Sequence, residues 1–255
     1  CYIVCFKLTS ERVEVPASNQ KISASAIFKS IFTNKALLGI IVAAIFVLLS
    51  QLTVMSLAGY VYPNVYGSAA AQSTASLLGT VVMLVVCAPF ASKLSAKFGK
   101  KELAMGSSII SALVWLVCLI WRPASVWGFV ACYILANIGM GFFNTIIWAM
   151  ITDVIDDAEV RNGMREDGTI YSVYSFARKL GQAFSSGLVG ALLGIIGYTE
   201  ATAFDPAVTR GIFNMACIAP IIGFVCIVLA LAFLYPLNKK KVEENVAELA
   251  ARRNK

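Results

Sequence analysis

The stretch TIYSVYSFARKLGQAFSSGLVGALLGIIGY, Thr169 to Tyr198, is long and apolar enough to cross a membrane, yet it carries Arg178 and Lys179 side by side. No acidic residue lies in the same stretch. A charge at the bilayer centre costs at least about 2.5–3.5 kcal/mol on insertion scales, so such a residue faces water, a cavity or a partner. At helical spacing Ser172, Ser175, Gln182 and Ser186 share one face with Lys179. Tyr171, Tyr174 and Arg178 flank that face, and Ile170, Phe176, Leu180 and Leu188 are expected on the opposite side. An ammonium ringed by hydroxyls, an amide and phenols is suited to line a water-filled pathway. The other options are snorkelling of either cation to the headgroups, or pairing of Arg178 with acids of the adjoining loop.

A second group follows the same spacing. Asn137, Asn144 and Trp148 lie seven and four residues apart and share a helix face. Amides can bond sugar hydroxyls while an indole ring stacks on the C–H face of the sugar. Amide bonding between helices and an interfacial Trp explain the same residues equally well. GALLG, Gly190–Gly194, has the spacing that lets two membrane helices approach closely. A third group is the segment TDVIDDAEVRNGMREDG, Thr152–Gly168, dense in both signs, with ASKLSAKFGKKE as its counterpart earlier in the chain. Charged loops on one face can form ion pairs that close a gate; equally, they can be solvated segments that only set topology.

Catalysis and metal chemistry have little to work with. The chain has no histidine, the commonest general base and metal ligand. Its seven cysteines include no CxxC pair, and Cys87, Cys118, Cys132, Cys217 and Cys226 sit inside apolar runs as small hydrophobes. The reading is a protein that is not an enzyme and needs no cofactor.

The elements that position these groups follow from composition. The 255 residues are 59% hydrophobic and 14% charged, with mean hydropathy +0.78. Soluble domains are nearer half apolar and a quarter charged, so lipid is the expected solvent. The net charge of +7 sits in short clusters between apolar runs, which fits membrane topology and argues against nucleic-acid binding. Six spans are predicted: Ala36–Tyr60, Ala69–Ala91, Leu103–Trp121, Val126–Ile151, Thr169–Tyr198 and Gly211–Leu237. If they alternate, one side collects 17 of the 21 lysines and arginines, from the leading segment, the loops near Lys97 and Arg161, and the tail. The other side has only Arg122 and Arg210, and the remaining two are Arg178 and Lys179. The positive-inside rule puts both ends in the cytoplasm. SASAIFKSIFTNK reads as an amphipathic helix along that face, or as the start of the first span, and KKKVEENVAELAARRNK as a solvated helical tail. The division is residues 1–35 as the end of a preceding helix plus linker, 36–237 as the six-helix bundle, and 238–255 as the basic tail. CYIVCF looks like the end of an earlier apolar segment, so the expectation is the C-terminal part of a longer protein.

DVIDDAEVRNGMREDGTIYSVYSFARKLGQAF, followed by GLVGALLGIIGY, resembles the loop and penultimate helix of the glycoside–pentoside–hexuronide:cation symporters of the major facilitator superfamily. KLSAKFGKK is similar to that superfamily's inner-loop signature, and TSERV to the segment after its sixth helix. The resemblance implies an all-α membrane protein whose six transmembrane helices are helices 7–12 of twelve. It implies sugar:cation symport by alternating access in a bacterial plasma membrane. The implied partners are a sugar or glycoside, Na⁺ or H⁺, the lipid bilayer and a missing N-terminal six-helix half that holds most of the cation site. By position, Lys179 matches the helix-eleven lysine of the sugar and cation cavity, where it balances charge and could attract a carboxylated sugar. Tyr174 and Ser175 fall on the sugar-lining part of that helix, with Gln182 on the same face. Asn144 replaces a cavity side chain that is often aromatic in melibiose permeases, and Trp148 lies one turn on. Asp153, Asp156 and Arg165 match the charged gate, and Arg178 is assigned to it too. The rival readings are a uniporter or lipid or lysolipid transporter of the same fold, and a non-transporting sensor or scaffold.

Overall fold

The structure, a computed structural model, describes residues 6–8, 34–163, 165 and 167–253. No strand occurs among the described residues. The segment SASAIFKSIFTNK, residues 23–35, read as an amphipathic helix, lies outside the described residues apart from Asn34 and Lys35.

Helix α1 (Lys35–Tyr60) begins where Asn34 Oδ1 accepts a hydrogen bond from Leu37 N at 3.1 Å, satisfying an otherwise orphaned donor. It runs into a wide π-helical turn, Val61–Val65, at Pro63, whose ring removes a donor and crowds the preceding turn. Helix α2 (Ala69–Val82) passes through a second such turn, Met83–Cys87, into α3 (Ala88–Phe98). Together they make one apolar rod. Helices α4 (Lys100–Trp121), α5 (Val126–Asn162), α6 (Asp167–Ile196) and α7 (Pro206–Phe233) follow, then α8 (Lys239–Arg253). Six of these rods are long and apolar enough to cross a bilayer.

The packing repeats itself. α1 packs on α6 and α7, α5 packs on α2 and α4, and α4 and α7 pack on each other. Exchanging the first three spans with the last three interchanges the first four of these contacts in pairs and maps the α4–α7 contact onto itself, as two three-helix repeats require. The shared core holds Leu37, Ile40, Phe129, Phe143, Ile147, Met150 and Phe224, all fully buried. The outward sides are also apolar, with Leu77, Leu84, Phe176, Ile195 and Phe233 well exposed. Such a surface needs hydrocarbon or further helices over it.

One expected boundary is wrong by a length that matters. The sequence predicts a fourth span over Val126–Ile151 with a charged loop from Thr152. Instead α5 continues to Asn162, and the connection to α6 is only residues 163–166. Val154, Ile155 and Ala158 are buried, so the apolar stripe runs on past the membrane-length core and carries the acids with it. The tail also differs from a fully solvated helix. Asn245 and Leu249 of α8 are buried, and α8 lies on α5.

Gly181 sets the seat of α6 on α1. A Cβ there would stand 2.8 Å from the carbonyl oxygen of Ile45, closer than real contacts allow. The GALLG glycines, by contrast, have open space beside them: nothing within 4 Å of a Cβ at Gly190 or Gly194. Gly181→Val should force α6 off α1 and destabilise the protein by about 1–3 kcal/mol, read as a lowered midpoint in thermal unfolding of the purified protein. An unchanged midpoint would show that the two helices do not pack this closely.

Candidate functional site

The buried stripe of α6 is Ile170, Tyr174, Ala177, Gly181, Ser185 and Val189, spaced by three and four residues. This stripe lies against α1, so the opposite side of α6 is left open. That open side carries Ser172, Ser175, Lys179, Gln182 and Ser186, all exposed. The polar stripe is therefore continuous and faces away from the bundle core. Among the described residues Lys179 has no ion-pair or hydrogen-bond partner. Phe176, expected opposite it, is exposed as well, while Leu180 and Leu188 are intermediate.

Arg178 turns the other way. Its Nη1 donates to Tyr174 Oη at 3.3 Å, one turn back on the same helix. Its guanidinium carbon lies 5.5 Å from the Trp148 ring centroid and 5.7 Å from that of Tyr174. The two rings meet edge to face, 5.5 Å apart with planes at 73°. Tyr174 is completely buried, whereas Trp148 is 47% exposed. The result is a guanidinium held on an aromatic shelf at the junction of α5 and α6. Cation–π attraction of this kind offsets part of the cost of moving the charge out of water.

Asn144 lies elsewhere. Its Nδ2 donates to Gln51 Oε1 of α1 at 3.4 Å. Asn137 spends its amide on the Tyr133 carbonyl of its own helix, at 2.7 Å. The structure thus brings Trp148, Tyr174 and Arg178 together and shows no contact from Asn144 to any of them.

At the basic end of the bundle the charges form a connected set. Lys100, at the start of α4, bonds Asp153 of α5 at 2.6 Å; the Asp153 side chain is 6% exposed. Asp157, fully buried, pairs with Arg161 Nε at 2.9 Å and accepts from Asn245 Nδ2 of α8 at 3.0 Å. Arg165 bonds Asp156 at 3.0 Å, Glu159 at 2.9 Å and Asp167 at 2.8 Å. Burial works against the Arg165 charge, yet these three carboxylates outweigh it and hold its pKa above the ordinary arginine value. Lys101 donates to the Tyr235 carbonyl at 2.6 Å, and Lys239 to that of Ala96 at 2.8 Å. Arg252 donates to the Val160 carbonyl at 3.0 Å.

Of the four residues expected at a gate, Asp156 and Arg165 meet each other. Asp153 meets Lys100 instead, and Arg178 meets no loop acid among the described residues. Lys100, Asp157, Arg161 and Asn245 complete the set without having been singled out. The spacing of Val242, Asn245 and Leu249, three and four residues apart, was the available signal for a docked face on the tail.

The chain matches the MFS/sugar transport protein family over residues 1–239. It is 28% identical to the glucuronide carrier protein homolog of Escherichia coli, over 99% of this chain and 54% of that protein. It is 30% identical to the uncharacterized symporter YjmB of Bacillus subtilis, over 97% of this chain and 54% of the relative. A putative sulfoquinovose importer of Salmonella typhimurium is 28% identical over 98% of this chain and 52% of its own length. Six membrane-length helices arranged as two three-helix repeats are half of a major facilitator fold, and the chain belongs to the MFS/sugar transport protein family. It spans about half the length of the curated relatives it matches. The family and these relatives are transporters, not enzymes.

The two kinds of ion pair at the basic end should respond differently to mutation. Lys100→Met leaves the buried Asp153 carboxylate without its cation and should cost about 3 kcal/mol. Arg165→Met removes pairs that water already screens and should cost under about 1 kcal/mol. Thermal unfolding of the two purified variants checks the order; equal losses would contradict it.

Proposed function

We propose that this chain is the C-terminal half of a sugar:cation symporter that works by alternating access. The observation that carries the reading is the open face of α6. It lines up Ser175, Lys179 and Gln182 along a transmembrane helix, where the Lys179 cation has no carboxylate partner among the described residues. Such a face is consistent with a cavity shared with a second bundle, since a lipid-facing ammonium at this depth would be costly. A half that is rigid within itself suits a mechanism in which two bundles rock about a midplane site. The names of the relatives, a glucuronide carrier homolog and a sulfoquinovose importer, support a sugar-type solute.

In this reading Lys179 sits at the sugar site with Ser175 and Gln182 on the same open face; Tyr174, expected there from the sequence, is instead completely buried and supports Trp148 and Arg178 at the α5–α6 junction, while Asn144 braces α5 against α1. The substrate class is a glycoside, pentoside or hexuronide. The coupling ion is Na⁺ or H⁺, bound mainly by acids of the partner half, and no other cofactor takes part. The basic end lies in the cytoplasm of a bacterial cell. There Asp156, Arg165 and their neighbours close the inner side when the bundles tilt together.

The test is uptake of labelled sugar by the full-length protein in cells lacking their own carrier. Lys179→Ala should abolish accumulation against a gradient while leaving the amount of protein in the membrane unchanged. Normal accumulation by that variant would remove Lys179 from the site. Uptake that survives collapse of both the Na⁺ and proton gradients would favour a uniporter of the same fold.

A further inference from the structure

We infer that Arg178, set on the Trp148–Tyr174 shelf, is an anion anchor that selects sugars bearing an acid group. The inference rests on the transport reading above and reassigns Arg178 from gate to substrate.

The charge inventory comes first. The neighbouring acids of α5 are already engaged: Asp153 by Lys100, Asp156 and Glu159 by Arg165, Asp157 by Arg161 and Asn245. Between Gly168 and Gly197, α6 has no acid at all. Arg178 and Lys179 therefore place two adjacent positive charges in a membrane-spanning segment, with no carboxylate bonded to either among the described residues. An anion brought by the ligand lowers the cost of that arrangement.

The geometry adds direction. Arginine has five N–H donors in a planar fork that fits a carboxylate or sulfonate two bonds at a time. Among the described residues only one donor of Arg178 is used, on Tyr174 Oη, and it holds the fork in place. The ring of Trp148 limits where the guanidinium plane can lie, so little ordering entropy remains to be lost on binding. The exposed part of Trp148 offers a stacking surface for the sugar ring beside the anchored acid. A residue of a gate would instead be expected to bond the acids near Arg165, and among the described residues Arg178 bonds none of them.

The experiment uses the full-length protein in carrier-deficient cells with a matched set of sugars. These are p-nitrophenyl β-glucuronide, its neutral methyl ester and p-nitrophenyl β-glucoside. The wild type should take up the glucuronide with a KM at least about tenfold below that for either neutral sugar, as expected for a charge-assisted bidentate contact. Arg178→Gln should raise the glucuronide KM by roughly tenfold to a hundredfold and leave the neutral sugars as they were. Arg178→Lys, which keeps the charge but not the fork, should fall between. Four results would overturn the anchor: no preference in the wild type; a preference that survives Arg178→Gln; an equal loss of acidic and neutral sugars in that variant; or an Arg178→Lys variant no different from the wild type. Failure of the transport reading looks different, because the wild type would then accumulate none of the three sugars, and the anchor would fall with it.

Discussion

Placing two cations inside a hydrocarbon-length helix is the constraint around which this bundle is organised. An ammonium or guanidinium there must meet water, an aromatic face or a counter-charge. Helix α6 answers for each cation separately. Gly181 lets its small-residue side approach the α1 backbone closely, which turns Lys179 and its polar neighbours to the opposite, open side. Arg178, one residue earlier, is rotated by about a quarter-turn and meets Trp148 across the junction with α5. The close α1–α6 contact thus decides where both charges go.

The same economy governs the basic end. Two aspartates are buried there, and each has a basic partner from another position: Lys100 for Asp153, Arg161 for Asp157. Asn245 ties α8 to Asp157, and Lys239 ties the start of α8 to the end of α3. Apart from the Asp157–Arg161 pair within α5, these contacts cross between helices at the point where α3, α4, α5 and α8 converge. They tie the ends of these four helices together. Arg165 and its three carboxylates are more exposed than this buried set, so water screens their pairing more.

Most of this architecture is legible in the sequence because the bilayer imposes it. Apolar length gives the six spans. The polar stripe of α6 can be read from residue spacing alone, and it emerges exposed as drawn. What failed had physical causes. The end of α5 was missed because a hydropathy reading stops at Ile151, while helix formation does not: Val154, Ile155 and Ala158 continue the buried stripe through the acids. Lys100 was seen as one more inside cation, since nothing in the sequence says which of four nearby cations reaches Asp153. The aromatic shelf could not be foreseen because Trp148 and Arg178 belong to different helices, and their meeting depends on how α5 and α6 are seated.

The central claim is that the open face of α6 borders a watery, substrate-filled cavity rather than lipid. Cysteine substitution in the full-length protein, with the native cysteines removed, tests it most directly. Ser175→Cys, Gln182→Cys and Ser186→Cys should react with a membrane-impermeant hydrophilic thiol reagent, and a transported sugar should slow the first two. Phe184→Cys, off the stripe, should stay unreactive. Stripe positions no more reactive than Phe184→Cys, with or without sugar, would contradict the account and place this face of α6 against lipid or a dry helix contact.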